Sequence, residues 1–139
     1  MQRPHRSAGV FLLALGLVLT AASGCSRLRN ELDSLPDSDK ARVALDRALT
    51  AWKDGQKFGT VQAGSQKIEV LERVWQSGKK LSAFEILRAE EKPGPRWFAV
   101  KLTLKDSPPQ QVNYAVLGLD PLWVCREEDY DQMCGMSSK

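Results

Sequence analysis

Histidine is almost missing from this chain. Of 139 residues, one is histidine (His5) and three are cysteine, at positions 25, 125 and 134. Aromatic residues make up only 7% and charged residues 27%, against 42% hydrophobic. That balance is too apolar for a disordered chain and too charged for a protein that crosses a membrane many times. The length leaves room for one ordinary domain, not two.

His5 sits in a segment that does not belong to the fold. Arg3, His5 and Arg6 make a positive start, Val10 to Leu19 is an uninterrupted apolar and glycine run, and Ala21, Ala22, Ser23 and Gly24 are small. This is the layout of a secretory signal peptide over residues 1–24. The apolar run is shorter than the roughly 20 residues a spanning helix needs. Cleavage removes His5, so the mature chain is predicted to hold no histidine. A Ser-His-Asp triad, a Cys-His dyad and a histidine-ligated zinc site are then impossible within one chain. Any catalysis would rest on carboxylates, lysine, tyrosine or serine.

Cleavage also changes the charge. The full chain has 20 basic and 17 acidic residues, net +3. Loss of Arg3 and Arg6 leaves 18 against 17, net +1. The apparent basicity is mostly targeting signal, and nothing in it points to nucleic acid, which wants a strong basic patch.

The tetrapeptide Ala22-Ser23-Gly24-Cys25 resembles the lipobox of bacterial lipoproteins. Ala22 is the departure, since leucine is commonest there. The resemblance implies cleavage before Cys25, a diacylated Cys25 thiol and acylation of the new amino group. The protein would be exported and held on a membrane by the lipid on Cys25. Ser26 rather than aspartate after the cysteine implies the outer membrane of a two-membrane bacterium, facing the periplasm. The alternative is an ordinary signal peptide cut near Ala22 or Ser23, with Cys25 left as a thiol.

Residues 25–37 read as the lipidated cysteine and a polar tether that ends at Pro36-Asp37. Leu28, Leu32 and Leu35 are also spaced for a short amphipathic turn. The 12 residues from 26 to 37 span about 40 Å when extended. The next segment predicts a helix, with Ser38 as N-cap and Asp39 in the first turn. Ala41, Leu45, Ala48, Leu49 and Trp52 form one stripe of period 3.6, and Gly55 ends it. Residues 56–65 read as a loop. Ile68 to Trp75 is ambiguous: Ile68, Val70 and Glu72 alternate like a strand, whereas Val70, Leu71, Val74 and Trp75 fit a short helix. A short strand running into a turn is preferred. Leu81–Ala89 reads as a strand, and Trp97–Lys105 has the cleanest alternation in the chain, with Phe98, Val100, Leu102 and Leu104 on one face. Val112–Val124 reads as one long strand bent at Gly118, Asp120 and Pro121.

The expected fold is therefore α+β: one N-terminal helix packed on a curved antiparallel sheet of three to four strands, over residues 38–128, with 129–139 a C-terminal tail. This order resembles the cystatin-like and NTF2-like folds, in which a curved sheet wraps a helix. The stretch from Trp75 through Leu87, and the ending Asp120 to Asp129, also resemble small exported bacterial proteins. That likeness implies no activity.

Each candidate for chemistry has a plain competitor. Cys125 and Cys134 remain once Cys25 is lipidated, and an oxidising compartment permits a bridge between them. It would stabilise by on the order of 2–3 kcal/mol; the alternative is two thiols. Glu127, Glu128, Asp129 and Asp131 beside Tyr130 lack the spacing of a calcium loop and read as a solvated acidic face. Ser77-Gly78-Lys79-Lys80 matches S-x-x-K but lacks the companion motifs, so it reads as a turn. Trp52, Trp75, Trp97 and Trp123 read as core. Trp97 and Trp123 with Tyr114 would instead form a binding surface if they faced solvent. No metal or cofactor site is predicted. The expected function is a non-enzymatic, membrane-anchored module that binds or assembles with a cell-envelope partner. The alternative is a small NTF2-like enzyme with Asp120 or Glu85 as base and Tyr114 as hydrogen-bond donor.

Overall fold

The computed structural model describes residues 34–134. Helix α1 (Ser38–Lys53) carries the expected stripe, and Ala41, Leu45, Ala48, Leu49 and Trp52 are all buried. Ala44 and Ala51 widen it. The N-cap is Asp37 rather than Ser38: its carboxylate accepts the Lys40 N–H at 2.7 Å. A carboxylate satisfies that first-turn donor and also meets the positive end of the helix dipole. At the other end the Gly55 N–H reaches Trp52 O and the Gln56 N–H reaches Ala51 O, each at 3.0 Å. This Schellman closure needs the left-handed backbone that Gly55 adopts at φ +83°.

Six strands follow, not three or four: β1 (Val61–Ala63), β2 (Gln66–Leu71), β3 (Leu81–Glu90), β4 (Arg96–Leu104), β5 (Gln110–Leu117) and β6 (Leu122–Arg126). They form one curled sheet in the order β1-β2-β6-β5-β4-β3, a half-barrel around α1. The sheet is mixed, because β2 pairs parallel with β6. The segment 56–65 is thus not all loop; its end is the first arm of a tight β1–β2 hairpin. Both readings of Ile68–Trp75 hold in part, since β2 runs straight into the single-turn helix α2 (Arg73–Gln76). The expected long last strand is two strands. The chain reverses over 118–121, where Gly118 has φ +79° and the Asp120–Pro121 peptide is cis, and Leu117 lies opposite Trp123. The bulges lie instead in β3, between Leu81 and Ala83 and between Ile86 and Arg88.

The concave face holds the main core. Ile68, Val70, Phe98, Val100, Leu102, Val116, Leu122 and Val124 pack against α1. The convex face is also covered in part. Helix α3 (Glu127–Met133) lies over it, and Trp97, Ala115, Leu117, Cys125 and Tyr130 form a second core. The expected C-terminal tail is therefore packed structure as far as Met133. The tether likewise ends early: Leu35 packs against this second core, Pro36 is buried, and the Arg96 Nε donates to Pro36 O at 3.0 Å. Among the described residues no helix is long and apolar enough to cross a membrane. Cys25 and the signal segment lie outside the described residues.

Candidate functional site

Polar groups interrupt the concave core at one end of the sheet. The inward phase of β2 runs Ile68, Val70 and then Glu72; that of β6 runs Leu122, Val124 and then Arg126. Tyr114 lies opposite Arg126 across the β5–β6 pair. Alternation thus places an acid, a guanidinium and a phenol side by side. Glu72 is 2% exposed and is the buried charged residue of the described chain. Its Oε2 accepts the Tyr114 hydroxyl. Its Oε1 accepts the Val74 N–H at 3.0 Å, capping α2, and lies 3.5 Å from Arg126 Nη1. Arg126 Nε pairs in turn with Glu128 at 3.0 Å. Asp129 accepts the Arg73 N–H at 2.9 Å and pairs with Arg73 Nε at 3.2 Å, so α3 is tied to α2.

Burial raises the Glu72 carboxyl above its usual range, against the opposing pull of the Tyr114 hydroxyl and the Arg126 charge. Burial also drives the Tyr114 phenol well above its ordinary range, and the Glu72 charge adds to that. Both carboxylate oxygens are engaged within the protein, and both residues are buried. A cleft of about 380 Å³ reaches Glu72 from outside, between Phe58, Arg73, Gln76, Asp129 and Gln132.

A second cleft, about 270 Å³, opens at the C-terminal end of α1. Trp52 stacks on Trp75 at 5.8 Å with the rings 13° apart, and Phe58 meets Trp75 edge-on at 5.8 Å. The Trp52 indole N–H donates to Lys79 O at 2.8 Å and the Trp75 indole N–H to Gln56 O at 3.1 Å. The stack therefore pins both loops that form the rim. Lys57, Lys79 and Lys80 stand on that rim.

The predicted binding surface does not assemble. Tyr114 faces the concave core, whereas Trp97 and Trp123 belong to the convex side. Trp97 is covered: it meets Tyr130 edge-on at 5.5 Å, its N–H donates to Pro93 O at 3.3 Å, and Lys92 sits 4.6 Å over its ring. Trp123 is half-buried against the same core. Adjacent phases of the pleat separate the three residues, and α3 then buries Trp97. Asp120 and Glu85 are exposed and lie away from Tyr114. Tyr114 does have a carboxylate partner, but it is Glu72. The signal was present in the sequence as a carboxylate on the apolar phase Ile68, Val70, Glu72. The acids of α3 do not gather round a cation. Glu127 binds Lys92 at 2.6 Å and Asn113 at 2.8 Å, while Glu128 and Asp129 turn to Arg126 and Arg73. Among the described residues no three His, Cys, Asp or Glu side chains are placed to hold a metal ion. Ser77 Oγ donates to Val74 O at 2.7 Å, a turn contact.

Cys125 and Cys134 are thiols in the structure and pack in the same convex core. Burial pushes the Cys125 thiol far up, with the nearby Cys134 adding to it. Cys125 is therefore expected to resist alkylation in the folded, reduced protein and to react once denaturant is added, because the thiolate is the nucleophile. Rapid labelling under native conditions would show that the convex core is open. A bridge formed during export would appear as a denatured mass lighter by two hydrogen atoms, and its reduction would cost about 2.5 kcal/mol of stability for so short a loop.

No protein-family model, no curated protein and no solved structure matches this chain.

Proposed function

We propose that the chain is a lipoprotein anchored through acyl groups on Cys25, facing the periplasm from the outer membrane, and that its domain is a non-enzymatic module that binds or assembles with an envelope component. One observation carries this reading. The chain enters the domain at Pro36, beside Arg96, and α1 runs from there for 16 residues, about 24 Å. The cleft lined by Trp52 and Lys79 opens at the far end of that helix. The point where the chain enters the described domain and that cleft thus lie at opposite ends of α1, which suits a module that presents the cleft towards a partner. The helix inside a curled sheet supports the cystatin-like or NTF2-like layout; the parallel β2–β6 pair departs from the antiparallel sheet expected from sequence. The enzymatic alternative has the Glu72–Tyr114 pair in its favour. We favour the binding reading because both Glu72 oxygens are engaged within the protein.

The test is mass spectrometry on protein extracted gently from its own membranes, native against denatured. The expected denatured mass is that of the chain from Cys25 with its acyl groups, and the expected native mass is larger by a bound component. An unmodified Cys25 would overturn the anchoring.

A further inference from the structure

The lysine-rimmed cleft has three properties that go together. No acid lines it, although the described chain as a whole is nearly balanced in charge. Lys57, Lys79 and Lys80 are exposed, and none of them is in an ion pair among the described residues. Their loops are held by two indole hydrogen bonds rather than left to drift. Three positive charges carried on held loops, with no ion-pair partner among the described residues, favour an anion, and lysines suit a phosphate as point charges. The floor is not polar. Phe58 is half-buried there and, with Gln76, also lines the neighbouring cleft, whose apolar side runs on to Leu71 and Met133 and whose other side carries Arg73, Asp129 and Gln132, with the buried Glu72 behind. The two clefts, about 270 and 380 Å³, together reach the size of small-molecule sites, roughly 300–1,000 Å³.

We propose that this end of the molecule binds a phosphate-bearing amphiphile, with the phosphate held between Lys57, Lys79 and Lys80 and the apolar part laid over Phe58 towards Leu71. The assignment names the ligand class of the binding module above and rests on that reading. It takes the head of an anionic lipid in preference to a free phosphate, because Phe58 continues the site beyond the charges.

The experiment uses the processed full chain in neutral detergent, titrated with dihexanoylphosphatidylglycerol, dihexanoylphosphatidylcholine and glycerol phosphate, and read by amide chemical shifts. The phosphatidylglycerol is expected to move the amides of Lys57, Phe58, Lys79 and Lys80 and to bind at least about tenfold tighter than either other probe. The combined Lys57→Gln, Lys79→Gln and Lys80→Gln variant is expected to lose about 100-fold in affinity. All three side chains are exposed, so its amide spectrum elsewhere stays that of the parent. Phe58→Ser is expected to bring the phosphatidylglycerol down to the level of glycerol phosphate. Equal binding of the choline lipid would overturn the charge assignment. Equal binding of glycerol phosphate by the parent would mean a free-phosphate site and overturn the amphiphile. Shifts elsewhere, or none, would overturn the site. The mass of Cys25 reports separately on anchoring: a lipidated chain with a silent cleft refutes the cleft alone, and an unlipidated chain with these shifts refutes the anchor alone.

Discussion

Glu72→Ala is expected to lower the unfolding free energy by about 4 kcal/mol near neutral pH, measured by denaturant unfolding. Three losses coincide. Arg126, whose side chain is only 12% exposed, loses the Glu72 charge 3.5 Å from its Nη1 but keeps Glu128 on its Nε, so this loss lies at the low end of the roughly 3–5 kcal/mol that breaking a buried pair from one side costs. The Tyr114 hydroxyl, 1% exposed, loses its acceptor. Helix α2 loses the side-chain cap on the Val74 N–H, a contact of about 1 kcal/mol elsewhere. These do not add, because one carboxylate makes all of them. Glu72→Gln keeps the shape and one acceptor and is expected to lose about 2 kcal/mol. A loss below about 1 kcal/mol for the alanine variant would mean that the triad is not a structural tie.

The native protein and Glu72→Gln also differ in a pH signature of known sign. The folded Glu72 carboxyl titrates above its ordinary value of 4.5. Its proton therefore stabilises the fold fully below that value, and the contribution is lost as pH rises through the raised one. Glutamine does not titrate. The advantage of the native protein over Glu72→Gln is thus expected to be largest at about pH 4 and to shrink towards neutrality. The shrinkage is about 1.4 kcal/mol for each pH unit by which folding lifts the carboxyl. Glu69 is held low chiefly by its Lys67 hydrogen bond. Burial pushes Glu127 up, but its Lys92 and Asn113 hydrogen bonds win and hold it low. Both tilt native and variant alike in the opposite direction and cancel in the difference. A gap that widened towards neutrality would mean that the Arg126 charge outweighs burial at this site.

How much of this was legible in the residues depends on how many of them repeat a period. Helix α1 and β4 each offer four or five apolar positions in phase, and both were readable to within a residue or two. Strand β1 has three residues, too few for alternation to show beside Gly59 and Gly64. Strands β5 and β6 keep the same apolar phase on either side of the turn, so a reversal reads as a bend. Helix α3 hides because its single large buried apolar side chain, Tyr130, stands among acids whose cationic partners lie far away in the chain or just before the helix: Lys92, Arg73 and Arg126. The same limit split the aromatic set. Trp97, Trp123 and Tyr114 each pack where their own strand phase dictates, and no local pattern says that phases from different strands face opposite sides of one sheet. Glu72 was visible as an acid on an apolar phase, but its partners come from β5 and β6, more than 40 residues on.

Trp52→Ala is expected to cost as much as the loss of Glu72, about 4 kcal/mol, by a different route. The side chain is 2% exposed at the end of the α1 stripe, and truncating a buried tryptophan costs roughly 3–5 kcal/mol through lost burial and the cavity left behind. Part of that loss is the stack on Trp75, about 1 kcal/mol for an aromatic pair. Trp52→Phe separates the packing from the indole bond. It fills much of the cavity but leaves Lys79 O without its 2.8 Å donor, so its global cost is expected to be about 1–2 kcal/mol. The local consequence is larger than that figure suggests. The loop of Lys79 and Lys80 would then be held only by its own turn and by the Lys105 N–H on Lys80 O at 2.9 Å. Trypsin is expected to cut after Lys79 or Lys80 faster in Trp52→Phe than in the parent, at a temperature where both are folded. Affinity at the lysine cleft should fall along with it, because that bond holds the backbone from which Lys79 and Lys80 project. If cutting and affinity both matched the parent, the indole would be only core, and the rim would owe its shape to the turn alone.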